Sequence, residues 1–344
     1  MSVLESDLYF YGSANMPDGD GTTTGGALDT TKLIFFNDIS PAGTMNYVSS
    51  SASDTAATIT LSGRDSTGVI QTETKTFNGT TPVTGSQSFE RLLKGVIAGT
   101  TAVGDLAAIS NTAVISAHTA QAASAASGAT AASITLQSGD GASVSVGQII
   151  RITNNLPSGV QNQLRRIIRI SGDIVYVNRA WGTVPSSAST YSIYEGMLFD
   201  LAPNQVTQIR RPFYNAAADV PGGSNRTYYE KIFAVNSNTT TALTVVVISK
   251  QVDPSSGTLQ FALTNALNDT GTVANRQTAP VSGITSFSSG SSPQTINVPS
   301  PQNLPSGATP NAAGAQGMWL SLALTAGLAA AKTSFDIRVT GQTT

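Results

Sequence analysis

Short runs with strand character recur along this chain, and each ends at a turn rich in Gly, Asn, Asp, Ser or Thr. Clear examples are "KLIFF", "ATITLSG" and "GVIQTETKTF". β-Branched and aromatic residues favour strands, whereas the "DSTG" and "NGTTP" sequences between the runs favour turns. Strands at this spacing predict an all-β protein, with a first β-sandwich module over residues 32–116.

One run in this module permits a second interpretation. "SFERLLKGVIAG" has the composition of a strand, but Phe89, Leu92, Leu93 and Val96 also fit one face of a helix. A short helix over residues 88–99 is therefore the alternative to a strand.

A later stretch, "TYYEKIFAVNSNTTTALTVVVISKQ" (residues 227–251), contains two apolar runs around a polar loop. At period two, both faces of each run are partly apolar. We expect a long hairpin whose strands are covered on more than one side. A second sheet of the same chain could provide the cover, and another subunit could provide part of it.

Changes in composition divide the rest of the chain. Residues 1–31 are turn-rich and predict an extended arm, and the small residues of 117–132 predict a linker. Residues 133–200 hold enough strands for a small, autonomous β-barrel module. Residues 205–344 predict a C-terminal β-sandwich, interrupted by a Ser/Pro/Gly-rich excursion at 282–316 that is either disordered or laid across a neighbouring surface. We expect the arm and the excursion to contact other chains.

The closing strand of this last module shows the clearest alternation. Phe335, Ile337 and Val339 alternate with Asp336 and Arg338, which is typical of a strand with one face directed inward.

Charge and cysteine content exclude several classes of protein. Charged residues are 11% of the 344 residues and the net charge is −2, so the chain has no overall attraction to nucleic acid or to an anionic membrane. The chain has no cysteine, which excludes disulfides, thiol catalysis and thiolate metal sites. We also find neither a signal peptide nor an apolar run of the ~18 residues that a membrane span needs.

The sequence predicts no catalytic, cofactor or metal site. The single histidine, His118, lies in the small-residue linker without evident partners. A glycosidase would need two converging carboxyl groups, but Glu73, Glu90 and Glu195 are scattered over different strands.

One acidic stretch has some likeness to a calcium-binding loop. It contains Asp18, Asp20 and Asp29, but Thr23 stands where such a loop needs glycine. We interpret these carboxylates as ordinary turn residues, with a weak surface cation site as the alternative.

Five arginines form the candidate interaction surface, namely Arg165, Arg166, Arg169, Arg210 and Arg211. Solvated strand faces or intramolecular ion pairs would explain them, and contact with an acidic protein surface is the alternative. Aromatic residues are not interleaved with them as in a base-stacking platform, so we expect no nucleic-acid partner.

Two segments of the C-terminal module carry a resemblance to a known group of proteins. "RRPFYNAAADVPGGSNRTYYEKIFAVNSNTTTALTVVVISKQ" resembles a β-sandwich segment of tailed-bacteriophage virion proteins, and "GMWLSLALTAGLAAAKTSFDIRVTG" is similar to their closing hairpin, with Trp319 on its first strand. The matching positions of the first segment are Gly222, Gly223, Tyr229, Lys231, Ile232, Phe233 and Asn236.

The first module adds to this resemblance, because "ATITLSGRDSTGVIQTETKTFNGTTPVTG" is similar to immunoglobulin-like repeats of phage head and tail proteins. The resemblance implies a non-enzymatic virion protein, most specifically a capsid decoration (cement) protein. Such a protein would be a trimer without cofactors, synthesised in the host cytoplasm. It would bind the major capsid protein on the capsid surface, and bind neither nucleic acid nor membrane. The alternatives are a tail, baseplate or head-fibre component with receptor-binding function and, from another class, a carbohydrate-active enzyme.

Overall fold

A computed structural model describes most of the chain. The described residues are 3, 7–34, 42–99, 102–120, 132–154, 162–187, 189–201, 205–214, 216, 223–254, 257–288, 294–299, 303–307, 314–327 and 335–343. They form strands, turns and short 3-10 turns, with no α-helix among them. The predicted all-β class is confirmed. No helix in these ranges has the length and apolar character needed to cross a membrane.

The chain divides into two compact units, one formed by residues 1–37 with 210–344 and the other by residues 38–209. The boundary falls within strand β16 (Gln208–Arg210). The strands of the first unit are β1 (Leu8–Asn15), β2 (Thr24–Ile34), β17 (Arg226–Asn236), β18 (Leu243–Val252), β19 (Thr258–Leu267), β20 (Thr272–Val273), β21 (Gln294–Asn297), β22 (Asn303–Leu304), β23 (Gln316–Leu324) and β24 (Asp336–Thr343).

Two antiparallel sheets build the first unit. One has the order β19-β23-β17-β1-β2, with β20 also paired to β2, and in the other β18 lies between β24 on one edge and β21 and β22 on the opposite edge. Side chains of both sheets meet in one apolar core, which includes Ile232, Phe261 and Met318 from the first sheet and Val246 and Ile248 from the second. The unit is therefore a β-sandwich.

The predicted arm is corrected by this topology. β1 pairs with β17 from Leu8↔Asn236 to Gly12↔Ile232 and also pairs with β2. Tyr11 is fully buried, because a strand inside a sheet has neighbours on both edges and at least one covered face. The described part of residues 1–31 thus belongs to the sandwich itself.

The predicted hairpin over residues 227–251 is also wrong. β17 pairs with β1 and β23, whereas β18 pairs with β21, β22 and β24, so the polar loop crosses from one sheet to the other. The expectation that both faces of β17 are covered holds, since its last seven residues, 230–236, are all buried.

Part of the excursion at 282–316 also lies on the first unit. β21 and β22 add to the edge of β18, and Ser288 accepts a backbone hydrogen bond from Phe261, an N–H···O contact of 3.1 Å. These segments are laid across their own sandwich. Residues 289–293, 300–302 and 308–313 of the excursion are outside the described ranges, as is Gly222 of the predicted glycine turn.

The second unit contains three groups of strands. They are β3 (Met45–Ser49), β4 (Thr58–Arg64), β5 (Ile70–Thr76), β6 (Val83–Thr84), β7 (Arg91–Ala98), β8 (Leu106–Ser110), β9 (Ile115–Thr119), β10 (Ser133–Thr135), β11 (Ile149–Asn154), β12 (Gln163–Ser171), β13 (Ile174–Val177), β14 (Thr190–Tyr194) and β15 (Gly196–Phe199). Their orders are β7-β4-β5, β15-β8-β3-β6 and β10-β13-β12-β11-β14-β9. The run that allowed a helix is strand β7, in register with β4.

The six-stranded sheet forms a half-barrel around its own apolar cluster. It is not separate from the strands before it, because β9 pairs with β14 and β15 pairs with β8. A second cluster brings Ile149 and Leu164 of the half-barrel against Val48, Ala107 and Ile109. The middle region therefore shares sheets and core with the first module. The prediction of an autonomous module over residues 133–200 is wrong. Residues 121–131 of the predicted linker are outside the described ranges.

Candidate interaction surface

Two of the five predicted arginines, Arg210 and Arg211, are buried. Arg210 is fully buried, and its Nη2 donates to Oε1 of the equally buried Glu230 over 2.9 Å. Its Nη1 donates to the Met16 carbonyl over 2.7 Å. Arg211 is also buried, at 6% exposure. Neither side chain can form an exposed surface, so this part of the prediction is wrong and its intramolecular alternative holds for Arg210.

Glu230 is the centre of a larger charged network in the first unit. Arg276 is fully buried and donates to the same Oε1 over 2.9 Å, while the Phe213 amide donates to Oε2 over 2.8 Å. An ionised carboxylate is costly to bury unless it is paired and hydrogen-bonded. The network links strand β17 to the loops that hold Met16, Phe213 and Arg276, and it gives Glu230 a structural role.

The carboxylates of the acidic stretch pair with basic side chains of the first unit. Asp18 Oδ1 lies 3.2 Å from Nη1 of Arg210, and Asp20 Oδ2 lies 3.2 Å from Nη1 of Arg226. Asp29 pairs with Lys32. Within the described ranges, no group of three or more His, Cys, Asp or Glu side chains is placed to hold a metal ion.

A buried lysine fills another polar pocket of the first unit. Lys231 has no exposed surface, and its Nζ donates to the carbonyl oxygens of Gly26 at 3.0 Å, Asp269 at 2.8 Å and Gly271 at 3.2 Å, and to the Asp269 carboxylate. Burial lowers the pKa of Lys231, and the Asp269 carboxylate opposes that change. The signal for this residue in the sequence is a lysine next to the apolar strand residues Ile232 and Phe233.

In the second unit, Arg165 is also buried. Its Nη1 lies 3.1 Å from Oδ2 of Asp105, and its Nε and Nη2 donate to the Ala180 carbonyl. Burial lowers the pKa of Arg165 to about 10, and the nearby Arg179 adds to this decrease. Arg165 joins the half-barrel to the segment before β8, so its prediction as a surface residue is wrong.

Asp200 lies in the same cluster with one unsatisfied oxygen. The amide of Asn178 donates to Oδ1 over 2.9 Å, whereas Oδ2 is buried and has no hydrogen-bond partner among the described residues. Burial raises the pKa of Asp200 to about 6, and the charge of Asp105 adds to this increase. The cluster therefore contains a carboxyl group that titrates close to neutral pH.

The two remaining predicted arginines, Arg166 and Arg169, are half-buried on β12. The guanidinium carbon of Arg169 lies 3.4 Å from the ring centroid of Tyr176, which holds the side chain against the sheet. The five arginines do not form one surface.

His118 has partners that the sequence did not reveal. Its Nδ1 lies 2.7 Å from Oδ2 of Asp140, and the same oxygen accepts a hydrogen bond from the Tyr191 hydroxyl. The Tyr191 oxygen in turn accepts from the Gln137 amide over 2.8 Å. The prediction of a solvated linker histidine is wrong, because His118 lies on β9 and helps to connect this strand to β14 and to the turn at 137–143.

The carboxylates considered for a glycosidase have local hydrogen-bond partners. Glu73 accepts from the Tyr47 hydroxyl over 2.7 Å and from the Ser86 amide over 2.9 Å. Glu195 accepts from Gln148 over 2.8 Å, and burial raises its pKa. These contacts are sufficient to explain Glu73 and Glu195 as structural residues.

Among the strands that the structure describes, β5 and β24 are exposed along most of their length and are candidate surfaces, one in each unit. On β5 the outward threonines pair with those of β4, with 2.9 Å between the hydroxyl oxygens of Thr60 and Thr74. On β24 the alternation predicted from sequence is confirmed, since Phe335, Ile337 and Val339 pack against the core while Asp336 and Arg338 are exposed. Each strand ends its sheet among the described residues, and an outer edge of this kind can accept a partner strand.

Comparison of the chain with protein-family models, with curated proteins and with solved structures finds no match in any of the three.

Proposed function

We propose that this chain is a structural protein of a tailed-bacteriophage particle, and most specifically a decoration protein that binds and stabilises the outer capsid. Its partners are the major capsid protein and further copies of the chain, in a trimer. Its action is binding, without a reaction or a cofactor. The assignment to a tailed-bacteriophage particle is supported by the resemblance of residues 210–251 and 317–341 to segments of phage virion proteins.

A binding function is supported by one observation, namely that buried charged side chains form ion pairs with one another inside the protein. Two charged clusters, around Glu230 and around Asp105, are centred on buried side chains that pair with one another. A catalytic carboxylate or base must reach a substrate, which these side chains do not. Exposed strand edges such as β5 and β24 are suited to contacts between proteins through backbone hydrogen bonds.

Attachment to a capsid lattice does not require one strong interface. A specific interface of ordinary size buries about 1,600 Å², and several weaker contacts to a repeating surface raise the effective concentration of each further contact. A multi-sheet protein with several exposed strand edges fits this mode of binding.

The test is the number of copies in purified particles, measured by quantitative mass spectrometry against the major capsid protein. A decoration protein is expected in hundreds of copies per particle. Tens of copies would support the tail, baseplate or head-fibre alternative, and absence from the particle would contradict a virion function. Rebinding of the purified chain to particles stripped of it, with the heat-unfolded chain as control, tests capsid attachment directly.

A further inference from the structure

Strand β24 has one unpaired edge. It pairs with β18 from Asp336↔Val252 to Thr343↔Leu243, and none of the described residues pairs with its outer edge. Such an edge presents a row of backbone N–H and C=O groups that can accept another strand. The side chains along the strand determine which strand fits.

The exposed charges of β24 lack a partner among the described residues. Asp336 and Arg338 point away from the core, and neither forms an ion pair within the part of the chain that the structure describes. Phe335, Ile337 and Val339 lie on the opposite face, half-buried against the apolar core. From Phe335 to Val339 the strand thus reads apolar, acidic, apolar, basic, apolar.

We propose that β24 is a homotypic interface, in which it pairs antiparallel with β24 of a second copy about a two-fold axis through Ile337. In this register Asp336 of each copy lies opposite Arg338 of the other, and Phe335 lies opposite Val339. Both charges gain a partner of opposite sign and the apolar face continues across the junction. The same five residues supply both halves, which is why the partner is a second copy and not a foreign strand.

Neighbouring registers are less favourable. A two-fold axis through Arg338 places the two arginines opposite each other, and an axis through Asp336 does the same for the two aspartates. Like charges directly opposite one another destabilise an antiparallel pair. The charge order therefore selects the register as well as the partner.

The contact is small, so it is weak for two isolated copies. On a capsid, a trimer would offer three such edges, and two-fold contacts between trimers would link them into a net. The net rests on the proposed function, whereas pairing through β24 does not.

Charge reversal tests the pairing in the full-length protein. Asp336→Arg or Arg338→Asp alone places like charges opposite each other twice per contact, so each variant is expected to weaken self-association about tenfold in sedimentation velocity. The double variant D336R/R338D restores opposite charges and is expected to restore association. Single variants that match the wild type, or a double variant as weak as the singles, would overturn the proposal.

Disulfide trapping tests the register, because the chain has no cysteine of its own. An equal mixture of D336C and R338C proteins is expected to cross-link under mild oxidation, since opposite residues lie within disulfide range. The matched control is a mixture of D336C and T340C, whose Cα atoms would be about 8 Å apart, beyond that range. Equal yields in the two mixtures would overturn the register. Neither experiment uses particles, so a failed capsid-binding test leaves both results interpretable.

Discussion

Glu230 and Arg276 are paired inside the first unit, with both side chains at 0% exposure and Nη2 donating to Oε1 over 2.9 Å. The same carboxylate oxygen accepts from Arg210. Two guanidinium groups thus share one buried carboxylate. Removal of the carboxylate or of a guanidinium group would leave a buried charge without a partner, which is destabilising.

Glu230→Gln is therefore expected to destabilise the protein by about 3–5 kcal/mol, the usual cost of breaking a buried ion pair. The measurement is the free energy of unfolding from urea titration. Asp29→Asn is the matched control, since Asp29 is 24% exposed in its pair with Lys32, outside the Glu230 network, and a pair near the surface contributes about 1 kcal/mol or less. Equal losses in the two variants would contradict the assignment of Glu230 as the centre of the network.

The raised pKa of the Asp200 carboxyl group predicts that the stability of the protein depends on pH. Its pKa is about 6 in the folded protein and about 3.9 in an unfolded chain, so folding favours the protonated form. The stabilisation from this group is complete below pH ~4 and is lost as the pH rises through about 6, a loss on the order of 3 kcal/mol.

Asp200→Asn removes this dependence, because the amide does not ionise. The free energy of unfolding of the variant minus that of the wild type, both from urea titrations, is therefore expected to increase from pH 4 to pH 7. Asp65→Asn is the control, because side-chain hydrogen bonds from Thr67 and Gln71 lower the pKa of exposed Asp65 to about 2, below this window. A constant difference between wild type and Asp200→Asn across these pH values would show that Asp200 does not titrate there.

Tyr191→Phe is expected to destabilise the second unit by roughly 1–3 kcal/mol, because the backbone amide of Gln137 loses its acceptor and the Asp140 carboxylate loses a donor. Thermal unfolding measures the total change, and hydrogen exchange at the Gln137 amide should accelerate. Tyr176→Phe keeps the ring beneath Arg169 and is expected to stay within about 0.5 kcal/mol of the wild type. Unchanged exchange at Gln137 would argue against the Tyr191 contact.

Gly25→Ala is expected to be strongly destabilising for two reasons. Gly25 has φ +93°, and a Cβ there would lie 2.6 Å from the Trp319 ring and 2.9 Å from the Gly271 carbonyl oxygen. Gly68→Ala separates the two effects, since Gly68 has φ +83° with nothing within 4 Å of the added carbon. We expect about 1–2 kcal/mol of backbone strain for Gly68→Ala and a clearly larger loss for Gly25→Ala in urea titrations. Similar losses would mean that Trp319 and the backbone move aside.

Local sequence patterns are sufficient to predict part of the fold. The all-β class, the inward face of Phe335, Ile337 and Val339, and the lack of any cysteine chemistry follow from residue types and from alternation between near neighbours. These properties depend on the strand backbone alone, in which successive side chains point to opposite faces.

The pairing of strands that are distant along the chain could not be predicted from the sequence. The arm of residues 1–31 becomes β1 and β2 because β17, more than 200 positions later, supplies a partner. The runs of residues 227–251 separate into two sheets for the same reason. His118 meets Asp140 and Arg210 meets Met16 only after folding. The energy of these contacts depends on distance and burial in three dimensions, and neither can be obtained from the spacing of residues along the chain.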